Sequence, residues 1–320
     1  MNTIVLSAIL FLFLLRVKLS FNDMGVTFET TNTLKALACV FVVIHHSSKL
    51  LSDDNFLISI YKIHVGYIAV AIFFYLSGYG LVKSYQNKKC NFNSFIRRRL
   101  SKVYLPFLIV NLISVLFAIY ILSINVDFFL FVEYVIGLKL LDPVLWYINV
   151  ALVFYLFFYL SSHFKIKSFW VFTFILAFVI FMHYLDFPEY TYISSLAFFF
   201  GVFFAEYSGL KTKYAMLFLC VLGTCISRFL FKMDALVLLM NTSLVIVSLD
   251  LFLYKYSLSL NKISWLALIS YEIYLVHMKV FTYIPLLNAL YWLLSLTLIV
   301  LLAFFLHKIN IAVYRLVDQK

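Results

Sequence analysis

Apolar runs recur along this chain at the length of a bilayer crossing, and that repetition constrains it more than any other feature. Between Leu34 and Ile309, ten segments meet or approach the roughly 20 residues that cross a hydrocarbon core about 30 Å thick. With 65% of its 320 residues apolar and 12% charged, the chain carries more apolar surface than a soluble domain of this length could hide. In lipid every backbone N–H and C=O must find its partner inside its own segment, which makes the segments helices. The expected fold is all-α: a polytopic transmembrane helical bundle of about ten core spans, with the lipid bilayer as its solvent and first partner.

The spans read as Leu34 to Leu51, His64 to Val82, Val103 to Ser123, Leu145 to His163, Ser168 to Leu185, Tyr190 to Tyr207, Tyr214 to Phe231, Ala235 to Tyr254, Ser264 to Phe281 and Asn288 to Leu306. Most of the Lys and Arg residues fall on the face that carries Arg16, Lys18, Lys35 and the Lys83 to Lys102 loop, and the positive-inside rule puts that face in the cytoplasm. With ten spans, the C-terminus is cytoplasmic too. Ile4 to Leu15 forms an extra short apolar helix, and spanning is left open for it. Phe128 to Leu140 is short and contains Glu133, so it reads as an interfacial or re-entrant helix on the outer side. The chain thus divides into an N-terminal apolar helix with a cytoplasmic linker (1–30) and one membrane domain (31–320). The net charge of +11 could suggest nucleic acid, but the basic residues sit in short loops as topology signals, so no nucleic-acid partner is expected. The cysteines show no paired spacing, and no metal site is expected.

Ionisable groups inside such segments are costly and mark function by default. Lys35 precedes His46 by eleven residues, which returns to within about 20° of the same helical face at about 16 Å along the axis. His45 points about 80° away, so His46 is preferred. The plain alternative has Lys35 snorkelling to headgroups and His46 bonding a packed neighbour. Glu272 is an acid well inside the ninth span; it could orient a base, contact Lys35 or sit neutral. His277 shares a face with Tyr274 and Ser270, either lining a cavity or bonding between packed helices. Arg97, Arg99 and Lys102 sit in a basic loop suited to phosphates or to plain anchoring on anionic lipid. Trp146 stands at the start of its span, where its ring suits a sugar or a headgroup belt. Asp250 and Glu206, near inner helix ends, are read as snorkelling, and Ser77 and Gly78 as close-packing residues.

The Lys35/His46 stripe resembles the Arg-x10-His signature of the membrane-bound acyltransferase 3 family. Phe73-Phe74-Tyr75-Leu76-Ser77-Gly78-Tyr79 is similar to its second-helix motif. Phe95 to Pro106 resembles its basic loop, with Arg99 and Lys102 at the family's Arg-x-x-Arg spacing. Leu145-Trp146-Tyr147 resembles its Leu-Trp-Phe block, and Ile269 to His277 its late Tyr-Leu-x-His block. The blocks follow family order over roughly Thr31 to Leu306. Lys35 departs from the pattern, since an ammonium does not reproduce the bidentate contacts of the family's guanidinium.

The resemblance implies transfer of an acyl group, expected to be acetyl, from cytoplasmic acyl-CoA to a surface polysaccharide or lipid-linked glycan at a bacterial plasma membrane. Acyl-CoA, with acetyl-CoA expected, is then the donor substrate. His46, Lys35 and Glu272 become the catalytic candidates, His46 as proton acceptor or as carrier of the acyl group. Arg97, Arg99 and Lys102 with Trp146, Tyr274 and His277 become the substrate-binding ones. The competing reading is a transporter or export component moving a glycan or small solute without covalent chemistry. Such proteins often have Gly- or Pro-interrupted helices, and 8 Gly with 4 Pro make that pattern faint here. A third reading keeps the scaffold as a structural or regulatory subunit without turnover.

Overall fold

The computed structural model describes residues 2–21, 25–51, 55–87, 92–163, 168–260, 263–284 and 289–318. In chain order the elements are α1 (Asn2–Leu14), β1 (Val17–Phe21), α2 (Phe28–Lys49), α3 (Phe56–Ile60), a turn of π-helix (Tyr61–Val65), α4 (Gly66–Asn87) and α5 (Phe92–Arg99). A second π turn (Leu100–Tyr104), α6 (Leu105–Tyr120), α7 (Phe128–Ile136), α8 (Trp146–His163), α9 (Ser168–Tyr184) and α10 (Leu196–Glu206) follow. The chain continues through α11 (Leu210–Ile226), α12 (Asp234–Lys255), β2 (Tyr256–Leu260), α13 (Trp265–Leu268), α14 (Ser270–Tyr283) and α15 (Ala289–Asp318).

The helical bundle expected from the apolar runs is present. Among the described residues six stretches are long and apolar enough to cross a bilayer: Phe56–Gln86, Phe95–Tyr120, Pro143–Ser162, Leu210–Phe231, Asp234–Lys255 and Leu290–Arg315. These match six of the ten expected spans. The other four positions hold shorter or more polar helices. Among them α2 is long but carries Lys35, His45 and His46, and α10 and α14 have 11 and 14 residues. The expected span from Ser264 to Phe281 is broken at Ile269, between α13 and α14.

One element departs from an all-α chain. β1 and β2 pair antiparallel, with Val17 opposite Leu260, Leu19 opposite Leu258 and Phe21 opposite Tyr256. Both segments alternate apolar and polar residues, Val-Lys-Leu-Ser-Phe and Tyr-Ser-Leu-Ser-Leu, the period of a strand. Pairing sets apolar against apolar and polar against polar, with the hydroxyls of Ser20 and Ser257 2.7 Å apart. The start of α2 is anchored to this ribbon, because Leu258 N donates to Thr30 Oγ1 (3.0 Å) and Thr33 Oγ1 to the Leu258 carbonyl (3.3 Å). Thr27 caps α2 by accepting from Thr30 N at 3.1 Å.

The described residues form two compact units, Met1–Lys89 with Leu156–Ser270, and Cys90–Tyr155 with Tyr271–Lys320. In the first, α4 packs most extensively on α10. Gly78 and Gly201 make that possible: a Cβ on Gly78 would overlap the Phe198 carbonyl, and one on Gly201 the Tyr75 carbonyl. Small residues of this kind let membrane helices approach backbone to backbone, as expected for Gly78. In the second unit α7 turns back beside α6, with Tyr104 Oη donating to the Ile136 carbonyl at 2.9 Å. Asp127 caps α7 by accepting from Leu130 N at 2.8 Å, and no α7 side chain is fully buried.

Candidate functional site

In the first unit the candidate residues lie on α2, whose unbroken helix keeps Lys35 and His46 on one stripe. Both are half-buried, whereas His45 is buried. His45 donates from Nδ1 to the carbonyl of Tyr61 (3.0 Å), the first residue of the π turn. Its ring also lies against the Gly66 backbone, where a Cβ would overlap it. That fixes the tautomer and orientation of His45. The His46 ring stands edge-on to it, with centroids 4.8 Å apart and planes at 73°. The fixed histidine thus bounds one side of its neighbour. π turns of this kind recur at functional sites.

In the second unit α14 is the spine. Tyr271 Oη donates to the Val103 carbonyl (2.6 Å), tying α14 to the π turn that carries Lys102. One residue on, Glu272 is buried and its Oε1 accepts from His307 Nδ1 (2.8 Å) and Asn310 Nδ2 (3.0 Å) of α15. Tyr274 Oη donates to the Val144 carbonyl, and its ring meets Tyr147 edge-on at 5.7 Å. Tyr147 in turn meets half-buried Trp146 edge-on at 6.3 Å. The aromatic block at the start of α8 and the late Tyr-Leu-x-His block are therefore one packed cluster. His277 is fully buried and donates from Nδ1 into its own helix, to the Tyr274 carbonyl at 2.8 Å. Lys279 pairs with Asp142 at 3.2 Å, closing that end.

The basic residues divide by exposure. Arg97 is half-buried, Lys102 is exposed, and Lys88 and Lys89 lie outside the described residues. The Arg99 guanidinium lies 4.8 Å from the Tyr155 ring and 5.6 Å from the Phe95 ring. Its buried Nε finds no acceptor among the described residues. Lys102 Nζ sits 4.8 Å above the Tyr314 ring of α15. Two cations on aromatic faces, one with an unanswered N–H, suit an anionic group.

The sequence pattern of one family, described as an acyltransferase domain, matches residues 30–308. The chain belongs to the acyltransferase 3 family. It is a multi-pass membrane protein and, by family, an acyltransferase. No curated protein and no solved structure matches it. The acyltransferase 3 match contains every candidate named above.

Two features of this acyltransferase escaped the sequence reading, the partnering of Asp250 and the pair His307 and Asn310. Asp250 does not snorkel: it is 1% exposed, pairs with buried Lys213 and accepts from Tyr75 Oη at 2.5 Å. The Phe204 and Tyr254 rings flank the Lys213 ammonium at 5.2 and 5.4 Å. A buried counter-charge makes staying inside cheaper than reaching the interface, and neither residue's spacing announces the other, 37 positions away. Glu206 is exposed, as expected for a snorkelling acid. His307 and Asn310 were passed over because they stand near the end of the last apolar run. The signal available was their spacing from Tyr314, which places all three on one α15 face.

Proposed function

We propose that the protein transfers an acyl group, acetyl in the simplest case, from cytoplasmic acyl-CoA to a hydroxyl of a cell-envelope or exopolysaccharide sugar. It would do so in a bacterial plasma membrane with its C-terminus in the cytoplasm. The observation that carries this reading is the setting of His46: half-buried on α2, in line with Lys35, and held edge-on to a His45 that is locked to Tyr61. Near-neutral basicity lets an imidazole take the acceptor hydroxyl's proton as that oxygen attacks the thioester carbon and the C–S bond breaks. The alternative route acylates His46 first and hands the group on. Lys35 lies on the same stripe about 16 Å away along the axis, so its positive charge serves an anionic part of the donor and not the reacting carbon.

Arg99 and Lys102, with Arg97 beside them, supply cations for the donor's phosphates; the unanswered Arg99 Nε–H supports that role. Half-buried Trp146 offers aromatic surface to the acceptor sugar, with buried Tyr274 and His277 supporting it through Tyr147.

The test compares wild-type membranes with His46→Ala for transfer of labelled acetyl to surface glycan. Loss of proton transfer is expected to lower the rate by about 10²–10⁴. Undiminished acylation in the variant rejects His46. Mass spectrometry of surface glycans from a strain lacking the protein then names the acyl group and its carrier by the mass that disappears.

A further inference from the structure

Glu272 is 5% exposed, and its two carboxylate oxygens are used unequally. Oε1 accepts from both His307 and Asn310, while Oε2 finds no partner among the described residues, nor does the buried Oδ1 of Asn310. Asn310 spends its amide N–H on Glu272, which leaves its carbonyl oxygen to accept. Two buried acceptors are thus held together by a donor–acceptor bond between their own side chains. Leaving a buried acceptor unanswered costs about 1–3 kcal/mol, more when charged, so such a pair is stable only where donors come to it.

The donors must come from a group carrying N–H or O–H, and the surroundings say which kind. His307, Asn310 and Tyr314 follow one another along a single face of α15. At its far end Tyr314 lies under Lys102, and Tyr271, the residue before Glu272, is bonded to Val103 in the same π turn. Along this face a cationic, aromatic section therefore gives way to a section that presents the open acceptors of Glu272 and Asn310, with the His307 imidazole already engaged by Glu272. An anion is repelled by Glu272. A molecule with phosphates at one end and a neutral chain of amide N–H groups at the other matches both sections.

We propose that Glu272 and Asn310 form a hydrogen-bond-acceptor subsite for the amide N–H groups of the donor's pantetheine arm, with His307 holding the carboxylate in place. The assignment rests on the reading of acyl-CoA as donor. Glu272 then acts by positioning the thioester, and its contribution to transfer comes through binding.

The experiment uses the full chain in detergent and measures affinity for coenzyme A and for 3′-phosphoadenosine 5′-diphosphate, which keeps every phosphate and lacks the arm. Glu272→Gln is nearly isosteric: one amide oxygen still accepts from His307 and Asn310, and the other position becomes a donor. It is expected to weaken coenzyme A about tenfold and leave the nucleotide unchanged, the value of a hydrogen bond to a charged group. Asn310→Leu shifts the affinities in the same direction and repeats the test if Glu272→Gln does not fold. Arg99→Met weakens both ligands together. If Glu272→Gln and Asn310→Leu lower both affinities equally, or neither, the subsite is overturned while the donor reading stays intact. A wild-type protein that binds neither ligand overturns the donor reading, and the subsite with it.

Discussion

In the unit of Met1–Lys89 and Leu156–Ser270, buried charges answer one another: Asp250 is met by Lys213 and Tyr75, and His45 by the Tyr61 carbonyl. In the unit of Cys90–Tyr155 and Tyr271–Lys320, Arg99 Nε, Glu272 Oε2, Asn310 Oδ1, Trp292 Nε1 and Ser295 Oγ are buried and unanswered among the described residues. Ser195 Oγ is the first unit's counterpart. A closed set of partners stabilises the fold and leaves nothing for a ligand. An open set is tolerated only where a ligand or water completes it. The contrast marks the Lys213–Asp250–Tyr75 cluster as closed and leaves the Arg99, Glu272 and Asn310 atoms open to the recognition proposed above, although both groups include charged residues in apolar helices.

The contrast breaks most easily at Asp250. Asp250→Ala strands the Lys213 ammonium and is expected to cost about 3–5 kcal/mol, read as a lowered unfolding midpoint in detergent. Adding Lys213→Met to the same protein recovers most of that loss. If Asp250→Ala instead keeps full stability and loses acyl transfer, the cluster is a site and the contrast fails. Gly66→Ala comes next. The new Cβ pushes the His45 ring off its seat, and the resulting misplacement of His46 is expected to slow transfer by up to about 10²-fold, equivalent to about 2.7 kcal/mol in the barrier. An unchanged rate would separate His45 from the chemistry.

Gly201→Ala is a purely structural counterpart, since it forces α10 from the Tyr75 carbonyl at a cost of about 1–3 kcal/mol. Thermal unfolding measures it, and the affinity for coenzyme A should not move in protein that remains folded. The smallest effect belongs to Lys35→Arg, which restores the guanidinium of the family's signature. Transfer should stay equal or rise by less than about tenfold, a change worth under about 1.4 kcal/mol. Absence of transfer in both wild type and this variant would favour the scaffold reading without turnover.

Of the candidate site, only spacings within one helix were legible in the sequence. The Lys35/His46 stripe needed only helical geometry, and the preference for His46 over His45 followed from their angular separation. The β1–β2 ribbon was legible as alternation in each segment but not as a pair, because its strands are joined by more than two hundred residues of helix. Reading the stretch before α2 as a linker missed it. Asp250 was misjudged for the same reason: its exposure depends on Lys213, and no local pattern carries that information.

The sequence by itself determined that lipid is the solvent, that the backbone must satisfy itself in helices, and which ordered blocks place the chain in its family. Those properties depend on composition and on spacings within one helix, which neighbouring residues set. The tertiary structure alone decided that Asp250 is answered, that Glu272 is half-answered, and that His307 and Asn310 belong beside it. Hydrogen bonding is a short-range, directional interaction between helices far apart in the chain, so a polar group's partner is fixed only when the helices pack.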